Sequence, residues 1–117
     1  MGFVVAAVVI AALGGAVGGG VVVMGVVEAF TGRLLINLRQ LPWSRRDAEI
    51  IGVCHVIQGM VTVAQGVVVA LIFATQADDY RMLLPVFVSL MAIMVAAIAV
   101  PAWRQIRLSA RTGIPLV

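Results

Sequence analysis

The sequence predicts an all-α integral membrane protein with three transmembrane helices. Two observations support this fold class: 63% of the residues are hydrophobic and 11% are charged, and the apolar residues form three long segments. Soluble domains contain about 45–50% apolar and about 25% charged residues. A chain of 117 residues cannot bury so much apolar surface in water, so we expect lipid to surround most of it.

Each segment is long enough to cross a bilayer as a helix, which takes about 20 residues, and in lipid an open chain satisfies its backbone only as a helix. The first segment is too long for a signal-peptide core, so we expect it to be retained. We predict one membrane domain, residues 1–117, with helices at about 3–30, 45–75 and 79–103, a loop at 31–44 and a tail at 104–117.

Residues typical of helix ends flank the three segments. Gly32 is expected to end the first helix, and Ser44 with Asp47 has the spacing of a capping box at the start of the second. Asp78 or Asp79 is expected to cap the third helix. These positions agree with the helix limits that hydropathy predicts.

The arginines predict an orientation. The first loop and the tail contain seven of the eight: Arg33, Arg39, Arg45, Arg46, Arg104, Arg107 and Arg111. Because basic loops stay on the cytoplasmic side, we expect an outside N-terminus and an inside C-terminus. Trp43 and Trp103 would then lie at the inner boundary and Tyr80 at the outer one. We predict a multi-pass protein of the cell (inner or plasma) membrane, of bacterial type.

The first loop carries leucines at helical spacing: Leu34, Leu35, Leu38 and Leu41. This pattern predicts a short amphipathic segment lying in the membrane interface. The alternative is that the first helix simply extends past the membrane. Six arginines near this surface are candidate contacts for anionic lipid head groups: Arg33, Arg39, Arg45, Arg46, Arg104 and Arg107.

The second helix has a polar face, which spans an arc of about 140° at 100° per residue. It consists of Gly52, His55, Gln58, Gly59, Thr62, Gln65 and Gly66. Polar groups facing lipid are costly, so this face should meet protein or water. The opposite side is expected to face lipid and is apolar: Val53, Ile57, Met60, Val61, Ala64, Val67, Val68 and Leu71.

The other two helices carry ridges of small residues. On the first helix the ridge is Ala7, Ala11, Gly14, Gly18 and Gly25, and a second pair, Gly15 and Gly19, also has GxxxG spacing. On the third helix the ridge is Ser89, Ala92, Ala96 and Ala99. Small residues let helix backbones approach closely in lipid, so both ridges are predicted packing faces.

Two ionisable residues lie inside the apolar segments. Glu28 allows two interpretations: a buried carboxylate that binds protons or cations, or a side chain that reaches the interface and pairs with Arg33 or a loop arginine. His55 is predicted to be structural. In the alternative it binds a haem b shared with a partner chain, because a membrane haem commonly needs two histidines and this chain has one.

The sequence contains no motif for catalysis, nucleotide binding or a metal site, so we predict a non-enzyme without metal or cofactor. With basic residues explained by topology, we expect no nucleic-acid partner. The favoured function is a small non-catalytic subunit that packs through its glycine and polar faces into a larger membrane complex, such as a respiratory, transport or biosynthetic one. Its partners would be the lipid bilayer and other membrane subunits, or further copies of itself.

Two alternative functions remain. The layout of three helices with an outside N-terminus, an inside C-terminus and a basic tail resembles one class of phage holins, in topology alone. That resemblance implies a homo-oligomeric pore. The other alternative is a small transporter in which His55, Gln58, Thr62 and Gln65 line the path.

Overall fold

The computed structural model is all-helical in the part of the chain it describes, which is residues 2–35, 42–75, 81 and 83–113. Its helices are α1 (Gly2–Thr31), α2 (Arg45–Thr75) and α3 (Leu84–Thr112). All three are long and apolar enough to cross a membrane. The prediction of three helices able to span a bilayer is therefore confirmed.

The end of α1 is set by Gly32, as predicted. Its φ of 67° lies in the left-handed region, and its N–H donates to the carbonyl of Glu28 at 2.9 Å, which is the usual geometry of a glycine helix stop. The chain is not helical at residues 32–35, so the expected extension of α1 past the membrane is wrong. Leu38 and Leu41, on which the amphipathic segment depends, lie outside the described residues.

The start of α2 is a capping box. The Ser44 hydroxyl accepts the Asp47 N–H at 3.1 Å and donates to the Asp47 carboxylate at 2.9 Å. The side chains thus satisfy a backbone donor that the first turn leaves without a helical partner. This is the predicted cap at the predicted residues.

The third helix begins later and ends later than the apolar pattern suggests. Leu83 occupies its N-cap position without a side-chain cap, and Pro85 lies in its first turn; Asp78 and Asp79, the expected caps, lie outside the described residues. Proline suits this position because first-turn N–H groups lack helical acceptors anyway. The helix continues through Pro101 to Thr112, where Gly113 stops it with a φ of 72°.

The helices run antiparallel, with α2 between the other two. Along α1 the neighbours of α2 run from Gly14 beside Gly66 to Gly32 beside Arg45. Toward α3 they run from Gln65 beside Met91 to Asp47 beside Arg104. The end of α1, the start of α2 and the end of α3 therefore lie together, and we call this the arginine end of the bundle.

Candidate functional site: the polar face of the second helix

Glycines bring α1 and α2 into backbone contact along the bundle. A β-carbon added at Gly18 would lie 2.6 Å from the Gly59 carbonyl oxygen, and one added at Gly52 would lie 2.7 Å from that of Gly25. Further along, Gly14 and Gly66 face each other, with an added β-carbon 3.2 Å from the Gly66 Cα. At Gly18 and Gly52 these distances leave no room for a side chain, whereas at Gly14 and Gly66 the neighbouring backbone would have to shift by a few tenths of an ångström.

We call this contact the glycine seam; it consists of Gly14, Gly18 and Gly25 on α1 and Gly52, Gly59 and Gly66 on α2. Two expectations for α1 fail beside it. Ala11 is exposed, and a β-carbon at Gly15 or Gly19 would meet nothing within 4 Å. The reason is rotation: Gly15 and Gly19 each lie about 100° around the helix from the seam residue that precedes them.

His55 lies in the seam against Gly25 and reaches the carboxylate of Glu28. Its Nδ1 is 2.5 Å from Glu28 Oε1, and the Glu28 side chain is 1% exposed against 22% for His55. The contact is an ion pair when His55 is protonated, and a hydrogen bond from Nδ1–H to the carboxylate when His55 is neutral.

The second carboxylate oxygen of Glu28 accepts the Leu35 N–H at 3.3 Å. Glu28 therefore joins α1, the chain after α1 and α2 in a single contact. The expected pairing of Glu28 with Arg33 is wrong, because the carboxylate contacts His55 and the Leu35 N–H. Of the loop arginines, Arg45 pairs with Glu49, and Arg39 lies outside the described residues. The burial of Glu28 agrees with the other interpretation, but both of its oxygens already have protein partners.

The two glutamines of the polar face turn the other way, to α3. Gln58 Nε2 donates to the Ala97 carbonyl at 2.8 Å, and Gln65 Nε2 contacts the Met91 sulfur at 3.0 Å. Thr62 donates to the carbonyl of Gln58 in its own helix at 2.8 Å. The predicted polar face is thus divided between two neighbours: the glycines and His55 lie against α1, and the glutamines lie against α3.

The buried polar side chains in the described part of the chain are all hydrogen-bonded. No buried side-chain nitrogen or oxygen there lacks a partner. The same residues include no group of three His, Cys, Asp or Glu side chains placed to bind a metal ion. Chemically, this face can hold helices together through close packing and hydrogen bonds.

The apolar side of α2 is only partly exposed. Val53, Met60 and Val67 are exposed, but Val61 and Val68 are 6% and 7% exposed, so the expectation that these two face lipid is wrong. A helix that lies between two others is buried on two sides, so its buried surface extends beyond its polar residues. Position on a helical wheel cannot show this, because it does not locate the neighbours.

The small-residue ridge of α3 does not form the contact with α2. Ser89, Ala92, Ala96 and Ala99 are all exposed, whereas Ala97 and Leu108 are buried. The expected packing face of α3 is therefore wrong for contacts within this chain. These four small residues lie on the outer surface of the bundle.

The arginine end holds a second polar group. Arg104 pairs with Asp47, which also takes part in the cap of α2, and Arg45 pairs with Glu49 at 3.3 Å. A cavity of about 500 Å³ opens beside the first pair, lined by Asp47, Trp103, Arg104, Arg107 and Arg111 with Ala99 and Val100. Of the other candidate head-group contacts, Arg33 and Arg46 are exposed, and Arg39 lies outside the described residues.

The hydrogen-bonded pair of Glu28 and His55 is the contact of this site that could not be predicted from either helix alone. The one sequence signal for it was position, because Glu28 lies three residues beyond Gly25 and His55 lies three residues beyond Gly52, almost one helical turn in each case. Those two glycines face each other in the structure. In an antiparallel hairpin Glu28 and His55 then lie about 9 Å apart along the bundle axis, and they meet because each side chain tilts toward the N-terminus of its own helix and so toward the other.

Comparisons of the chain with protein-family models, with curated proteins and with solved structures found no match. Function is therefore inferred from the geometry of the chain itself.

Proposed function

We propose that this protein is a small non-catalytic subunit of a larger membrane complex, in which α1 and α2 form a fixed hairpin and α3 meets the partner. One observation carries the proposal: the polar groups of α2 are bonded to α1, to α3 or within α2 itself. A transport path or a pore needs polar groups that face water. Hydrogen-bonded helix contacts are instead typical of a packing role.

The exposed ridge of α3 supports a partner on that side. Ser89, Ala92, Ala96 and Ala99 fall within about 80° of arc on the helical wheel and are exposed. Small residues at the surface of a membrane helix allow another helix to approach closely. We propose that this ridge, which the sequence predicts as a packing face, contacts the other subunit.

The experiment is purification in mild detergent followed by mass spectrometry, comparing Ala96→Leu with Ala102→Leu. Both alanines are exposed, and the two substitutions add the same side chain, but Ala102 lies outside the ridge. Ala96→Leu should release co-purifying larger subunits while Ala102→Leu retains them. Release by neither variant would contradict the assigned ridge, and a series of homo-oligomers without other subunits would favour the pore.

The orientation is part of the proposal: the arginine end faces the cytoplasm of a bacterial-type cell and the N-terminus lies outside. The start of α2 and the end of α3 lie together, so their arginines belong to one surface, which supports this orientation. Cysteines at Gln76 or Ala77 should react with an impermeant reagent added outside, whereas cysteines at Arg39 or Ser109 should not. The reverse pattern would overturn the orientation.

A further inference from the structure

The cavity at the arginine end combines a cationic side with an apolar one. Arg104, Arg107 and Arg111 follow one another at helical spacing on α3, while Ala99, Val100 and Trp103 line the cavity on the membrane side. Twenty residues of helix cross a hydrocarbon core of about 30 Å, and α3 supplies that number between Leu84 and Trp103. The arginines therefore begin where the hydrocarbon ends.

The charges in the cavity are unbalanced. Its single carboxylate, Asp47, is bonded to Ser44 and to Arg104. Within residues 2–35, 42–75 and 83–113, neither Arg107 nor Arg111 has a carboxylate partner. Two like charges four residues apart on a helix repel each other, so an anion between them would stabilise this end of α3.

We propose that this cavity binds the head group of an anionic phospholipid. The phosphate lies between Arg107 and Arg111, and arginine suits it because the planar guanidinium donates two parallel hydrogen bonds to phosphate oxygens. The acyl chains lie along Val100, and the indole of Trp103, which is 61% exposed, lies at the level of the glycerol. A soluble anion would use the arginines but would leave the apolar lining uncovered.

Trp103 provides the readout. The protein, with Trp43→Phe so that a single indole remains, is placed in phosphatidylcholine vesicles containing brominated lipid, which quenches nearby tryptophan. Brominated phosphatidylglycerol should quench Trp103 more strongly than brominated phosphatidylcholine at equal mole fraction. The preference should be several-fold, because two guanidinium groups hydrogen-bond to one phosphate in the site.

Two double variants separate a built site from general attraction to anionic lipid. Arg107→Gln with Arg111→Gln should abolish the preference, and lysine at both positions should retain part of it. Arg33→Gln with Arg46→Gln removes the same charge from exposed positions outside the cavity and should leave the preference unchanged. Circular dichroism of each variant checks that the helices remain intact.

Three results would overturn the proposal. Equal quenching by both brominated lipids would mean that no anionic lipid is selected. Equal loss of the lipid preference in the variant with Arg33→Gln and Arg46→Gln would show that the preference depends only on the net charge of the surface. Relief of quenching by millimolar inorganic phosphate, but not by chloride at the same ionic strength, would identify a site for soluble phosphate in place of a lipid. None of these results depends on whether the protein has a partner subunit.

Discussion

The two contacts of α2 are built on different principles. Toward α1, glycine faces glycine and the backbones touch, so that a β-carbon at Gly18 would come within 2.6 Å of a carbonyl oxygen. Toward α3, glutamine side chains cross the space between the helices to Ala97 and Met91. Lipid does not drive helices together as water does, so close packing and interhelical hydrogen bonds must hold them. The first contact relies mainly on packing and the second relies on hydrogen bonds.

The difference implies unequal strength. Backbone contact along three glycine pairs is accompanied by the buried pair of Glu28 and His55. The contact with α3 has two glutamine bonds and an ion pair between Asp47 and Arg104, whose side chains are 17% and 34% exposed. We therefore expect substitutions in the α1–α2 contact to lower the free energy of unfolding most, and substitutions in the contact with α3 to lower it least.

The largest effect is expected at His55. His55→Leu removes the partner of a carboxylate that is 1% exposed, and breaking a buried pair from one side costs about 3–5 kcal/mol. His55→Gln keeps a donor for Glu28 and should cost about 1 kcal/mol, in the range of interhelical hydrogen bonds in membranes. The free energy of unfolding in detergent micelles measures both.

Equal losses in the two His55 variants would show that the imidazole itself is required, as a haem ligand would be. A haem absorption band in the purified protein that disappears in His55→Gln would replace the structural role of His55 with electron transfer.

The second effect is expected in the glycine seam. Gly59→Ala places a β-carbon against the Gly18 carbonyl and 2.6 Å from a Val22 methyl carbon, and overpacking of this kind costs about 1–3 kcal/mol. Gly19→Ala is the matched control on α1, because its β-carbon meets nothing within 4 Å; alanine there should be neutral or stabilising by up to about 1 kcal/mol. Similar unfolding free energies for both variants would show that the seam accepts alanine as well as glycine.

The smallest effect is expected at the contact with α3. Gln58→Leu removes the bond to the Ala97 carbonyl, which is already satisfied within a helix, so the loss should be near 0.6 kcal/mol and below about 2 kcal/mol. The same unfolding measurement applies. A loss as large as that of His55→Leu would reverse the proposed ranking of the two contacts.

The sequence was sufficient to identify the helices and the glycines of the seam, but not which residues face each other. Glycine spacing on α1 and α2 predicted both sides of the seam, since small residues in lipid have few other uses. Which residues meet depends on the rotation and stagger of two helices, and hydropathy contains neither. For this reason neither of the two interpretations of Glu28 included His55, its partner, which lies 27 residues away.

The same limit explains the errors at Val61, Val68 and the α3 ridge. Each was assigned from one helix viewed alone, with the polar or small side taken as the packed side. A central helix is buried on two sides, and an outer helix such as α3 packs through whichever side its neighbour meets. Tertiary arrangement therefore overrides the pattern at these positions.

The central claim is that the polar face of α2 is closed by contacts within the chain and does not face water. Thiol accessibility in vesicles tests it, with Cys54→Ala as background and single cysteines at Thr62, within the polar face, and at Arg46, which is exposed in the first turn of α2. A small, water-soluble thiol reagent should modify Arg46→Cys rapidly and leave Thr62→Cys unmodified. Modification of Thr62→Cys at a rate similar to that of Arg46→Cys would place the polar face on a water path and contradict the claim.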